Sequence, residues 1–176
     1  LADSGARVLF CDAERLERIT PHLDRLPALE RIIVARGSGA LPEGVLDFHS
    51  FRGDLPEKAV LPKATIAPDD DATIFYTSGT TGRSKGAMLT QRNLLSNAET
   101  LVDTWRFSDT DVLLHALPIF HSHGLFVATN VSLLSGAAMI FLPKFDLEAV
   151  LEALPRATSM MGVPTFYTRL LDDPRF

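Results

Sequence analysis

Between an apolar run ending at Tyr76 and another beginning at Ala87 stands Thr77-Ser78-Gly79-Thr80-Thr81-Gly82-Arg83-Ser84-Lys85-Gly86. A reverse turn uses one glycine and an Asn or Asp. This segment holds far more donors and far more backbone freedom than a turn needs. A phosphate group, by contrast, is bound by many short donors converging on it. Backbone N–H groups reach it best where no Cβ stands in the way, hence glycine. Ser and Thr hydroxyls add donors, and a lysine contributes a point charge. Thr77, Ser78, Gly79, Thr80, Thr81, Gly82 and Lys85 meet all three requirements. A flexible linker rich in Ser, Thr and Gly is the plainer alternative, but linkers seldom lie between two apolar strands.

The segment is not one of the common nucleotide loops. In the pattern G-x-x-x-x-G-K-[ST], counted from Gly79, the lysine falls at the right distance, but Ser84 replaces the second glycine and Gly86 replaces the magnesium-binding hydroxyl. The fingerprint G-x-G-x-x-G fails as well. A second polar cluster is His121-Ser122-His123. Its alternation resembles a metal pair, yet no third ligand is evident and Cys11, the only cysteine, is distant in sequence.

The elements around these residues follow a strand–helix rhythm. Arg7–Cys11 reads as a buried strand, with Asp12 capping a helix over Ala13–Ile19. Arg31–Ala35 is a second strand, closed by Gly37-Ser38-Gly39. From Leu41 to Asp71 the prolines at 42, 56, 62 and 68 suggest a traversing connection with short helices at most. Ala72–Tyr76 is a strand into the glycine-rich segment, and Ala87–Leu89 a short strand out of it. Thr90 caps a helix through about Trp105, with Leu94, Leu95, Ala98, Leu101, Val102 and Trp105 at helical spacing. Strand Val112–His115, the apolar turn Leu117–Phe120 and a helix over Gly124–Leu134 ending near Gly136 come next. Strand Ala137–Leu142, helix Leu147–Leu154, strand Ser159–Val163 and a helix opened by Pro164 complete the pattern. The expected fold class is α/β, a mainly parallel sheet flanked by helices in one domain.

Composition limits the function classes. The 176 residues are 46% hydrophobic and 22% charged, with a net charge of −5 and no long run of either sign, so a nucleic-acid surface is not expected. One cysteine allows no internal disulfide and fits a reducing interior, cytoplasmic or, in a eukaryote, mitochondrial. No run of about 18 apolar residues suggests a membrane span. The sequence opens without Met or a signal peptide and stops after an amphipathic segment, so a piece of a longer protein, lacking its N- and C-terminal parts, is expected.

Three stretches in order carry a resemblance. Tyr76–Gly86 (Y-T-S-G-T-T-G-R-S-K-G) resembles the signature loop of the acyl-adenylate-forming superfamily, which includes acyl-CoA synthetases, luciferases and the adenylation domains of peptide synthetases. The commonest family version has proline where Ser84 stands here. Leu117–Gly124 (L-P-I-F-H-S-H-G) is similar to the family's P-x-F/Y-H-x-x-G element at the acyl pocket. Gly162-Val163-Pro164-Thr165 is similar to its V-P-T segment before a pocket-lining helix. Longer stretches, 100–107, 115–128, 139–146 and 161–171, resemble the malonyl-CoA synthetases.

The resemblance implies that residues 1–176 are part of the large N-terminal, AMP-binding domain, with the C-terminal lid domain lying outside them. It implies a two-step reaction. A carboxylate, malonate or a close dicarboxylate, attacks the α-phosphorus of ATP; the acyl-adenylate is then taken by the thiol of coenzyme A. Lys85 and the donors Thr77, Ser78, Gly79, Thr80, Thr81 and Gly82 would hold the phosphates, with Mg2+ bridging them and Thr81 as the hydroxyl nearest the ion. His121 would contact the acid and its developing charge, alongside Val163 and Pro164, in a pocket with Leu117, Ile119 and Phe120. His123 is read as packing or support, His115 as either, and Arg83 and Arg169 as surface residues, Arg169 in a salt bridge. The full protein would be the ligase; the 176 residues alone would be inactive. Two alternatives remain: the same chemistry on a fatty or other acid, and a nucleotide-binding piece without catalysis.

Overall fold

The sequence Arg-Ile-Ile-Val at 31–34 forms a strand (β2) whose last three residues are buried. In the computed structural model the described residues are 1–37, 40–53, 60, 62–77, 82 and 84–176. Strand β1 (Val8–Cys11) runs parallel to β2 on one side, and β3 (Val45–Asp47) runs parallel to it on the other. Between β1 and β2 lies helix α1 (Ala13–Ile19), capped by the Asp12 side chain accepting from the Arg15 N–H, with a 3-10 turn over Thr20–Arg25. Leu16, Ile32 and Val34 form the buried cluster here, joined by Leu9, Leu23 and Val45.

Two expectations change in this region. β1 was read as buried, but Val8 and Phe10 are 48% and 55% exposed, because β1 is the edge strand of a three-stranded sheet and one face of it lacks a cover among the described residues. β3 falls inside the stretch read as a connection. Three residues are too few to show a period of two; they become a strand by pairing on the free edge of β2. Asp47 then caps a short helix, α2 (Phe48–Arg52), by accepting from the Ser50 N–H.

The chain divides into two compact units, Leu1–Thr65 with Tyr76–Gly86, and Ile66–Phe75 with Ala87–Phe176. The parallel strands are correspondingly split between two three-stranded sheets, each with its own buried cluster. Strands β4 (Asp71–Thr77) and β5 (Lys85–Thr90) form a separate pair.

The second unit is built on β6 (Val112–His115), flanked in parallel by β7 (Ala138–Phe141) and β8 (Ser159–Met161). Leu113 and Leu114 point to opposite faces, as successive strand residues must, and both are fully buried. Leu113 joins Leu117 and Ala128; Leu114 joins Val150, Ala153 and Leu170. Burial on both faces is the mark of a central parallel strand. Helix α3 (Gln91–Trp105) begins in a capping box: Thr90 Oγ1 accepts from the Asn93 N–H, and Asn93 Oδ1 accepts from the Thr90 N–H.

The helix expected over Gly124–Leu134 has two parts. Residues His123–Thr129 are a π-helix, followed by α4 (Asn130–Ser135), which ends on Gly136 at φ +78°. A 3.6-residue period does not reveal the wider turn. Helix α5 (Leu147–Ala153) is capped by Asp146, and α6 (Pro164–Leu171) starts on Pro164, whose missing N–H costs nothing at that position. Among the described residues no helix is long and apolar enough to cross a membrane.

Loss of a Thr N-cap costs about 1 kcal/mol. Thr90→Ala is therefore expected to speed hydrogen exchange of the Asn93 amide about fivefold, with Thr90→Ser close to the parent; equal exchange in all three would deny the cap its role.

Candidate functional site

Thr77 is the last residue of β4 and Lys85 the first of β5, both exposed, so the segment between them leaves one strand of the pair and returns on the other. Ser78, Gly79, Thr80, Thr81 and Arg83 lie outside the described residues. Gly82 has φ +81°, and a Cβ built on it meets nothing within 4 Å among the described residues. Glycine is needed here for conformation: an L side chain at this φ strains the backbone by roughly 1–2 kcal/mol. Just before the segment, the Tyr76 hydroxyl donates to Asp3 Oδ2 at 2.7 Å, and that bond to a carboxylate pushes the phenol pKa up, keeping its proton on. An open depression of about 610 Å³ lies here, lined by Leu1, Ala2, Asp3, Tyr76 and Ser84. Among the described residues of its lining the charged side chain is that of Asp3. Nothing in the sequence announced the Asp3–Tyr76 bond, since 73 positions separate the two residues.

In the second unit, Pro118 opens a turn closed by the His121 N–H donating to the Pro118 carbonyl at 3.2 Å. The His121 carbonyl in turn accepts from the Leu125 N–H at 3.0 Å, which leads the chain into the π-helix. His121 is exposed, and its Nδ1 accepts from the His123 N–H at 3.4 Å, which puts the proton of a neutral ring on Nε2. Phe120 beside it is 88% exposed and Ile119 49%, whereas Leu117 is buried in the core. The glycine three residues after His121 has a specific reason: a Cβ on Gly124 would sit 2.3 Å from the Pro118 carbonyl oxygen. Only glycine lets the π-helix close against the turn. Burial pushes the His123 imidazole pKa down, and the nearness of His121 and His115 acts in the same direction. That fits a packing role better than an anion contact.

Val163 is the N-cap residue of α6 and Pro164 its first residue, both exposed. Just before them, Gly162 lies under aromatic rings, so that a Cβ there would come within 3.1 Å of Phe166 Cδ2 and 3.3 Å of Tyr167 Cζ. Phe166 stacks on Phe145 at 4.2 Å between centroids, and the Arg169 guanidinium lies 5.9 Å from the Phe145 centroid. Arg169 was expected in a surface salt bridge. It is exposed, but among the described residues its contact is this cation–π one.

His115 and Met161 are register partners on the adjacent parallel strands β6 and β8. The His121 turn follows the carboxyl end of β6, and Val163-Pro164 follows the carboxyl end of β8. The two motifs, at His121 and Val163 and so 42 positions apart in the chain, thus both follow the carboxyl end of one sheet. In open α/β sheets, ligands bind outside the carboxyl ends of the strands. No cluster of three potential metal ligands is present among the described residues.

The fold is α/β with the two motifs following the carboxyl ends of parallel strands, and comparison with known proteins names the family. The family model of the AMP-binding enzyme matches residues 1–176, and the chain belongs to that family. It is 36% identical over 177 residues to the mitochondrial malonate–CoA ligase ACSF3 of Mus musculus, covering 98% of this chain and 28% of that protein. It is 38% identical over 179 residues to feruloyl-CoA synthase of an Amycolatopsis species, covering 100% of this chain and 32% of that protein. Among solved structures, apo MatB from Rhodopseudomonas palustris superposes with a TM-score of 0.80 at 46% identity, over 98% of this chain and 32% of that one. The ATP-bound form of the same protein gives 0.79 at 47% identity, over 98% of this chain and 33% of that one. The chain spans about a third or less of the length of each.

Overpacking a close contact costs about 1–3 kcal/mol. Gly124→Ala is therefore expected to speed amide exchange at His121 and Leu125 by about tenfold or more, as the Pro118 carbonyl is displaced. Native exchange rates at both would mean that the turn absorbs the methyl group.

Proposed function

We propose that the chain is part of the large AMP-binding domain of an acid–thiol ligase, which joins a carboxylic acid to coenzyme A through an acyl-adenylate. The observation that carries this reading is the Tyr76–Lys85 stretch: a strand ending at Thr77, a glycine at positive φ at 82 and a lysine opening the next strand. Amides and hydroxyls there can converge on phosphate oxygens, and an ammonium follows at once. In the first step a carboxylate oxygen bonds to the α-phosphorus while the bond to the departing pyrophosphate breaks. Two anions are joined and a third is expelled, so the enzyme's main task is to stabilise charge on the leaving group. We assign that task to Lys85 and to donors from Thr77, Ser78, Gly79, Thr80, Thr81 and Gly82. Mg2+ belongs to the same proposal with Thr81 as its candidate hydroxyl; that residue lies outside the described set, and no step is assigned to the ion. In the second step the coenzyme A thiol attacks the acyl carbon and AMP leaves.

His121 is assigned to the acid, donating from Nε2 to a carboxylate oxygen, with Val163 and Pro164 as neighbouring contacts. Malonate or a close dicarboxylate is the preferred acid. Support comes from the likeness to the mouse malonate–CoA ligase and from an exposed imidazole donor, which suits a second carboxylate. A second reading keeps the chemistry and changes the acid. It draws on the 38% identity to a feruloyl-CoA synthase and on the exposed apolar residues Ile119 and Phe120.

Removing one preorganised donor from a developing anion costs on the order of 100-fold or more in rate. In the full-length protein, Lys85→Ala and Gly82→Val are each expected to slow malonate-dependent pyrophosphate release by at least that factor. Parent rates in both variants would exclude the assigned loop. A screen of acids decides between the two readings: equal or faster turnover of a monocarboxylic acid removes malonate and the part given to His121.

A further inference from the structure

Strand β6 reads Val-Leu-Leu-His, and its last residue is a histidine with no exposed surface at all. A buried imidazole among leucines is a costly choice unless its polar atoms have work. His115 Nε2 lies 2.9 Å from the Gly124 carbonyl oxygen, and Thr129 Oγ1 donates to the same oxygen at 2.9 Å. Its Nδ1 has no hydrogen-bond partner among the described residues. These contacts assign the tautomer. With the proton on Nδ1, two acceptors would face each other at 2.9 Å and a buried N–H would go unmet. With the proton on Nε2, the ring donates to Gly124, and only a lone pair is left bare, the cheaper of the two omissions.

From Gly124 the constraint passes to His121 in two steps. The Gly124 Cα is pressed against the Pro118 carbonyl, where a Cβ would come to 2.3 Å, and that carbonyl accepts from the His121 N–H at 3.2 Å. The side-chain anchors of the knot are thus His115, on the rigid central strand, and Thr129, on the π-helix. We propose that His115 is a positioning residue: its Nε2–H, through Gly124 and Pro118, sets where His121 stands for the acid. Being wholly buried, it touches no substrate itself. This inference rests on the acid-activating reading for its kinetic consequence, but its structural content can be read separately.

The test compares His115→Leu, His115→Gln and His115→Asn in the full-length protein. The Gln amide nitrogen can occupy the place of Nε2 and still reach the Gly124 carbonyl; the Asn nitrogen takes the place of Nδ1 and cannot. With malonate, ATP and coenzyme A as substrates, the Leu and Asn variants are expected to raise the KM for malonate about tenfold. Their KM for ATP should stay within about twofold, and Gln should recover most of the loss. Amide exchange at His121 and Leu125, measured in the same proteins without substrate, should be faster in Leu and Asn and native in Gln. If Leu fails to fold, the contrast between Gln and Asn decides. Equal behaviour of Gln and Asn, or a malonate KM that is unmoved in a folded Leu variant, overturns the proposal. A parent protein that releases no pyrophosphate with any acid overturns the ligase reading instead, and the exchange contrast then decides on His115 alone.

Discussion

A central parallel strand has both its edges hydrogen-bonded and both its faces covered, and β6 meets all four conditions. Its backbone pairs with β7 and β8, and Leu113 and Leu114 fill separate clusters on opposite faces. A strand held in this way cannot slide or rotate without uncovering apolar surface or breaking ladder bonds. Everything at its carboxyl end inherits that rigidity. Because β8 runs the same way beside it, the chain after Met161 emerges next to the chain after His115. Parallel pairing thus brings the His121 turn and Val163-Pro164 to the same end of one sheet.

Close backbone approach is the second device, used in two different ways. At Gly124 the missing Cβ provides room, since the Pro118 carbonyl occupies its place. At Gly82 the missing Cβ provides conformation, since φ is positive. The first is a packing constraint and tolerates nothing larger than hydrogen. The second is a backbone constraint, set by φ alone. One chain thus uses the same residue type to close a turn against a helix and to hold a positive φ.

The π-helix links these ideas. The wider turn brings the Thr129 side chain, five residues on, to the Gly124 carbonyl, which it shares with the His115 ring. Wide turns of this kind occur often at functional sites. Here one joins the exposed imidazole of His121 to the buried one of His115, so a polar surface residue is held by a polar core residue through two backbone groups.

Local chemistry determined much of the chain before any folding. Asp12, Thr90 and Pro164 begin helices where they stand because a cap or a preset φ acts within one turn, and the helix over Gln91–Trp105 follows from its apolar spacing. The α/β class and the family motifs were legible for the same reason: glycines, hydroxyls and periodic apolar residues act over short distances. Tertiary structure alone decided what depends on a partner far along the chain. Three residues at 45–47 become a strand only against β2, β1 is an edge only because its sheet has three strands, and His115 acquires its role only when Gly124 and Thr129 fold back over it. A residue's own type sets which bonds it can make; which of them it does make is set by the groups that packing brings within reach.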